Sequence, residues 1–296
     1  MSLINRLLEM SRLFMWVISG KEIIVPTFGS YGDMLMTNGV LKQYAATKKS
    51  GKLYLVCKND YLVYNLPFIR AYLHRSSSYY MSLRLSKYFK RIKVINYGTI
   101  NEDKQAHLME RIAKRLQFKL SKPFFPYMVH DKKDEVDLDF IKGKFVCIQS
   151  SANTIFSANK NWDMGELDKV VDHLNLGCTT IQVGVKDDLP LNTQYHLNGK
   201  LSFRQSCYLL SKATLFVGPE GALMHAASAS NTKSVIIFGG YIHHRNSGYQ
   251  NVIPVESHIT CAPCLIPSSC TIGLLCMKEL KAETVIEKIN EVSDDI

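Results

Sequence analysis

The chain has 296 residues, with 36 Lys+Arg against 26 Asp+Glu and a formal net charge of +10. Hydrophobic residues make up 46% and charged residues 21%, which excludes a disordered chain, and no apolar run approaches the roughly 20 residues of a transmembrane helix. Residues 1–130 carry 21 Lys+Arg and 7 Asp+Glu while residues 131–296 carry 15 and 19, so the whole cationic excess lies in the first half and points to an acidic partner there: nucleic acid, an anionic membrane surface or a phosphorylated substrate.

Near the N-terminus the longest apolar run is Leu13 to Ile18, preceded by Arg6 and Arg12. It is too short to span a bilayer, and Gly20-Lys21-Glu22 offers no small-residue cleavage site. Residues 3–16 are expected to form an amphipathic helix packed on its domain, the other reading being contact with a membrane surface. Residues 22–27 read as a buried strand, 34–46 as a helix, 53–57 and 92–95 as further strands. Helices are expected over 102–118 and part of 59–90. Pro123, Pro126 and the charged stretch from Asp131 to Asp139 interrupt this alternation, and the domain boundary is placed there, giving residues 1–130 and 131–296. In the second half, strands are expected at 144–149, 179–183, 214–217 and 234–238. Helices are expected at 163–175, 202–211 (capped by Ser202), 221–229 and 279–292. Strand–loop–helix alternation in both halves describes two Rossmann-like lobes of α/β class, with a ligand at the carboxyl ends of the strands between them.

Four segments could carry chemistry. In the first, Gly29 and Gly32 lie between strand and helix, where a backbone can approach a ligand closely, and Asp33 opens the helix. Asp33 is either an acid favoured by the helix dipole or a carboxylate presented to a cleft. In the second, Ser150, Ser151 and Asn153 follow a strand, and Lys160 lies a few residues on. Hydroxyls, N–H groups and a point charge suit a phosphate, unless the loop is merely solvated. In the third, Gly218-Pro219-Glu220-Gly221-Ala222-Leu223-Met224-His225 leads from a strand into a helix whose free N–H groups suit a diphosphate. Glu220 is suited to accept from sugar hydroxyls, and His225 to hold the loop as a buried, hydrogen-bonded histidine. In the fourth, Cys261, Cys264, Cys270 and Cys276 fall within 16 residues, compatible with a structural zinc or iron site, with disulfides, or with packed thiols. The other four cysteines are scattered singly, which favours a reducing cytoplasm.

In order along the chain, these segments resemble glycosyltransferase family 9, the ADP-heptose:lipopolysaccharide heptosyltransferase family. Gly32-Asp33-Met34-Leu35-Met36-Thr37 is similar to its Gly-Asp-x-Leu-x-Thr opening, and Lys160-Asn161-Trp162 to its Lys-x-Trp. Ser202 to Gln205 with Leu209 to Ala213 resembles the helix before its donor site. Gly218 to Ala229 resembles its Gly-x-Asp-x-Gly-x-x-His-x-x-Ala-Ala signature, and Cys261-Ala262-Pro263-Cys264 with Cys276-Met277 its C-terminal cysteine segment. The sequence departs from the family in carrying Glu220 for Asp and Gly221-Ala222 for Thr/Ser-Gly.

The resemblance implies a GT-B fold, two Rossmann-like lobes whose parallel sheets face each other across a cleft. The first lobe would take the acceptor. The second would take the donor and include the 261–276 cysteine cluster and a closing C-terminal helix. It implies inverting transfer of a sugar, heptose by family default, from a nucleotide-diphosphate donor such as ADP-heptose. The acceptor would be an anionic glycan or glycolipid such as lipopolysaccharide core, and no metal or other cofactor would be required for catalysis. Asp33 would be the general base and Lys160 would neutralise the leaving diphosphate. Ser151 and the backbone of Gly221, Ala222 and Leu223 would hold the donor phosphates, Glu220 the donor sugar, with His225 beside them and Gly29 and Gly32 on the acceptor side. A cytoplasmic enzyme, peripheral at the inner face of the membrane, follows, with no nucleic acid partner. Two other readings compete. One is a basic nucleic-acid-binding protein, suggested by residues 70–93, where Arg70, Arg75, Arg84, Lys87, Lys90, Arg91 and Lys93 interleave with aromatics and no acid occurs. The other is a nucleotide-sugar-binding protein without turnover.

Overall fold

Short β-branched runs such as Ile23-Ile24-Val25 and Ser234-Val235-Ile236-Ile237 are too short for stable helices and form central strands, each covered on both faces. The computed structural model describes residues 3–27, 29–58, 60–74, 76–98, 105–152, 158–266 and 270–292. Phe28, Arg75, Asn153 and the beginning of the helix expected from residue 102 lie outside them. The chain divides into two units, Met1–Val129 and His130–Ile296.

Among the described residues the first unit runs α1 (Leu3–Ile18), β1 (Ile23–Pro26), α2 (Tyr31–Ala46), β2 (Leu53–Val56), β3 (Ile69–Leu73), α3 (Ser76–Leu85), β4 (Ile92–Ile95) and α4 (Leu108–Arg115). Its sheet has the order β3-β2-β1-β4 and every pair is parallel. The core on one face gathers Leu13 and Val17 of α1, Ile23 and Val25 of β1, Val56, Leu73, Tyr79 and Ile92. Each such aliphatic side chain contributes about 1.5–3 kcal/mol by leaving water. On the other face α2 is approached closely: a Cβ on Gly39 would stand 2.1 Å from the Phe125 carbonyl oxygen.

The second unit runs, among the described residues, through a 3-10 turn at Lys132–Asp134, β5 (Phe145–Ile148), a 3-10 turn at Ala158–Lys160, α5 (Met164–Leu174), β6 (Thr179–Gln182), β7 (Tyr195–His196), α6 (Phe203–Lys212), β8 (Leu215–Pro219), α7 (Ala222–Ala229), β9 (Lys233–Gly239), α8 (His244–Ser247), β10 (Val252–Glu256), α9 (Leu275–Lys278) and α10 (Ala282–Asn290). Its all-parallel sheet has the order β10-β9-β8-β5-β6-β7. Ser202 caps α6, accepting from Gln205 N–H while the Gln205 side chain accepts from Ser202 N–H; the two orphan donors satisfy each other's needs. Arg204, in the first turn of α6, is 1% exposed and forks onto Asp134, with Nε at 2.9 Å from Oδ1 and Nη2 at 2.6 Å from Oδ2.

The helix expected over part of residues 59–90 is α3, and no sequence signal marks the strand β3 before it: β3 is an edge strand with mixed exposure, so its pattern lacks the all-apolar signature of the central strands. α2 begins at Tyr31 rather than Met34, because Ser30 is the N-cap and its hydroxyl accepts from Asp33 N–H. The strands β7 and β10 were not expected. β10 contains Pro254, which removes a ladder donor and is tolerated here because β10 lies at the sheet edge.

Candidate active site

The strand orders locate the ligand-facing loops. In the second unit β5 continues to β6 and β7 on one side while β8, β9 and β10 extend on the other. The carboxyl ends of β5 and β8 are therefore neighbours whose loops part in opposite directions, the crevice at which open α/β sheets receive ligands. The first unit repeats this between β1 and β4.

At the first unit's switch point, the chain leaves β1 through Gly29 and Ser30 into α2, whose first turn holds the buried Gly32 and the half-buried Asp33. The Ser30 hydroxyl lies 2.6 Å from Asp33 Oδ2. The Tyr97 hydroxyl, which follows β4, donates to Oδ1. The carboxylate is thus fixed from both strands of the switch point, and it does serve the helix start as well. The sequence reading missed Tyr97, because nothing local to residues 95–98 marks it; only the pairing of β4 with β1 brings it to Asp33.

At the second unit's switch point, the loop after β5 and the loop after β8 supply the remaining groups. Gly221 is extended, without a side chain to cap α7, so the leading N–H groups of that eight-residue helix have no intrahelical acceptor. Ala222 and Leu223 are its first two residues, Leu223 packing inward. Just before it, Glu220 is buried and its Oε2 accepts from Lys160 Nζ. His225, one turn in, has Nε2 4.0 Å from Glu220 Oε1 and Nδ1 2.7 Å from the Tyr249 hydroxyl. Burial pushes the Glu220 carboxyl up, but the Lys160 ammonium and His225 outweigh it and hold the group below the ordinary carboxylate range. Lys160, Glu220 and His225, picked out singly in the sequence, are brought together.

Lys160 is placed by anchors on either side of it. Asn159 Nδ2 donates to the Ile266 carbonyl at 2.8 Å, Asn161 Oδ1 accepts from Ala152 N–H at 2.7 Å, and Trp162 Nε1 donates to the Leu280 carbonyl at 3.1 Å. Its ammonium also lies over the Tyr241 ring, 4.8 Å from the centroid. Ser151 stands apart from this trio, donating to Asp188 Oδ1, while Asp188 Oδ2 accepts from Val185 N–H at 2.9 Å. Burial raises the Asp188 carboxyl above its ordinary range in spite of both bonds. Tyr241, Tyr249 and Asp188 are not legible as site residues, since each lies in a different connection: β9 to α8, α8 to β10 and β6 to β7.

The four clustered cysteines lie close enough for the Cys276 thiol to sense Cys261, Cys264 and Cys270. All eight cysteines are free thiols, and among the described residues no group of three or more His, Cys, Asp or Glu is arranged to hold a metal ion. Cys276 is buried in the core with its Cβ against Gly240, Cys261 is exposed, and the Cys270 sulfur accepts from Leu274 N–H at 3.3 Å.

Two all-parallel sheets, each with polar side chains at its switch point, define an α/β protein of two Rossmann-like units with ligand sites at the carboxyl ends of their strands. The model of glycosyltransferase family 9 (heptosyltransferase) matches residues 103–271, and the chain belongs to that family. It is 25% identical over 240 residues to lipopolysaccharide heptosyltransferase 3 of Escherichia coli, covering 68% of each chain. To lipooligosaccharide heptosyltransferase 2 of Campylobacter jejuni it is 30% identical over 100 residues, 33% of this chain and 32% of that protein. Its fold is that of E. coli ADP-heptose lps heptosyltransferase II, with a TM-score of 0.68 at 16% identity over 92% of this chain and 98% of the other. It is also similar to the dodecameric iron-containing heptosyltransferase TibC, solved with ADP-D-β-D-heptose, with a TM-score of 0.70 at 17% identity over 93% and 77%. The α/β fold with two parallel sheets matches the GT-B heptosyltransferase structures, and the chain is a glycosyltransferase.

Proposed function

We propose that this enzyme transfers heptose, with inversion, from ADP-heptose to a hydroxyl of an anionic glycan or glycolipid acceptor such as lipopolysaccharide core. The observation that carries the reading is the buried Lys160–Glu220 pair at the β5/β8 switch point, beside the uncapped start of α7. Related heptosyltransferases, and an ADP-heptose complex of a protein of the same fold, support the donor.

In this mechanism the donor diphosphate takes the N–H groups of Gly221, Ala222 and Leu223, where the helix dipole favours negative charge. Ser151 offers a hydroxyl, and Glu220 accepts from the sugar. Asp33 takes the proton of the acceptor hydroxyl as that oxygen bonds to the anomeric carbon. The bond from that carbon to the diphosphate oxygen breaks on the opposite face, and the electron pair leaves with ADP. Lys160 meets the charge that develops there, a role that needs no catalytic metal. Gly29 and Gly32 leave room for the acceptor, and His225 holds Glu220 in place. A structural metal at the cysteine cluster has no part in these steps. The residues 1–130 and 131–296 act as acceptor and donor lobes, and the enzyme works in the cytoplasm with peripheral contact at the inner face of the membrane.

The test is a thermal-shift panel of nucleotide diphosphate sugars followed by release of nucleotide diphosphate with lipopolysaccharide-core acceptors. Stabilisation by ADP-heptose and acceptor-dependent ADP release are expected. Absence of stabilisation by any nucleotide sugar overturns the reading. Asp33→Asn should lower turnover by about 10²–10⁴-fold with donor binding retained; an active variant removes Asp33 from its role.

A further inference from the structure

Helix α1 buries one face and leaves an apolar one in water. Leu13 and Val17 enter the core, and its one acid, Glu9, lies on the packed side, 9% exposed and accepting from the Ser78 hydroxyl of α3 at 3.1 Å. On the opposite side Ile4, Leu7, Leu8, Phe14, Met15 and Ile18 are between 53% and 67% exposed. Their spacing places them on one stripe of about 120°, broken only by Ser11. Six large apolar side chains in one continuous row exceed the scattered exposure normal on a soluble surface. None of the described helices is long and apolar enough to cross a membrane.

Several cations of the first unit lie beside this helix. Arg12 is exposed at the border of the stripe. At the C-terminal end of α1 a shallow hollow is lined by Gly20, Glu22 and residues 88–91 with Lys93, and a Cβ on Gly20 would come within 2.8 Å of Arg91 Nη1. Lys21, Arg84, Lys87, Lys90 and Arg91 are all exposed there, together with Tyr88 at 81% and Phe89 at 39%. The acid in the hollow, Glu22, is already held by Lys48 at 2.8 Å and Lys93 at 3.0 Å.

We propose that the exposed face of α1, with the cationic and aromatic segment 84–91, is the surface by which this enzyme docks on an anionic phospholipid bilayer. The helix lies in the interface plane: its apolar stripe enters the acyl boundary, Tyr88 and Phe89 sit at headgroup level, and the lysines and arginines meet the lipid phosphates. A second copy of the chain is the poorer occupant, because an isologous contact through α1 brings Arg12 and the 84–91 cations against their own images. The inference deepens the membrane contact of the proposed function but needs neither donor nor acceptor to be tested.

The full-length chain is cosedimented with vesicles of phosphatidylcholine alone and of phosphatidylcholine with phosphatidylglycerol. Binding to the anionic vesicles, weakened in about 0.5 M salt, is expected. The variant Leu7→Asp/Phe14→Asp should bind at least about tenfold more weakly, and the triple Lys87→Gln/Lys90→Gln/Arg91→Gln should lose about fivefold per cation removed together with much of the salt dependence. Far-UV circular dichroism confirms folding, and the triple variant reads the same surface if the α1 variant misfolds. Wild-type binding by both variants, or no binding to anionic vesicles, overturns the proposal. So does an oligomer in solution that Leu7→Asp/Phe14→Asp dissociates, which would assign the stripe to a second copy. Vesicle binding without nucleotide-sugar stabilisation would instead strike at the transferase mechanism and leave this surface standing.

Discussion

Lys160 Nζ donates to Glu220 Oε2 with both side chains shielded from solvent, so each is the other's counter-charge inside the second unit. Removing one partner leaves the other buried and uncompensated, which costs about 3–5 kcal/mol. Lys160→Met is therefore expected to lower the stability read by urea unfolding by that amount, and Lys160→Met/Glu220→Gln to recover a large part of it. Turnover should fall in both, because neither variant can meet charge on a leaving diphosphate. Equal destabilisation by the single and double variants would show that the pair is not coupled.

Tyr97 touches Asp33 from the end of a different strand. In Tyr97→Phe the carboxylate keeps its Ser30 contact and loses one oriented donor, at a cost of about 0.5–1.5 kcal/mol in the arrangement of the base. A severalfold loss in kcat with an unchanged donor KM is expected from steady-state ADP release. A change confined to donor KM would detach Tyr97 from Asp33 function.

Asp134 titrates below the ordinary carboxylate range: burial raises it, and the Arg204 guanidinium with the Asp131 N–H more than reverses that. A carboxyl depressed on folding contributes stability that is present above its unfolded pKa, near 4, and is lost as pH falls through the folded value. Wild-type stability should thus decline in acid below about pH 4, with Asp134→Asn showing a flatter acid limb and lower stability at neutral pH. Stability curves parallel in pH for the two proteins would refute the assignment.

Gly39 lies where α2 meets the chain at Phe125, with no room for a side chain. Gly39→Ala gains helix propensity of about 1 kcal/mol, but the overpacking costs about 1–3 kcal/mol. A lower melting temperature, despite the better helix former, is the expected thermal-denaturation result.

How far the sequence revealed this depended on locality. The strands 23–26 and 145–148, being uniformly apolar, the strand 92–95, whose three β-branched residues are broken only by Lys93, and the Ser202 cap, with Gln205 three residues on, are readable because their signals lie within a few residues. The edge strands 69–73 and 252–256 were not, since a strand with one neighbour tolerates Arg70 or Pro254 and loses the apolar signature. At the site, Asp33, Lys160, Glu220 and His225 stood out through their loops. Their partners Tyr97, Tyr241 and Tyr249 become visible only when strand order sets distant connections side by side. The four clustered cysteines do come near one another, since the Cys276 thiol senses Cys261, Cys264 and Cys270, but their spacing along the chain does not say whether they are arranged to hold a metal ion.

The strand order of the second unit also bears on how such an enzyme can diverge. β5 and β8 are hydrogen-bonded neighbours, and the segments leaving them share no residue yet meet through the Lys160–Glu220 pair. One loop carries the cation and the other the acid and the helix start, so substitutions in either, such as Glu at 220, change one wall of the pocket while the sheet beneath keeps its register. New donor preferences can thus arise by swapping a short connection, with no need to rebuild the scaffold.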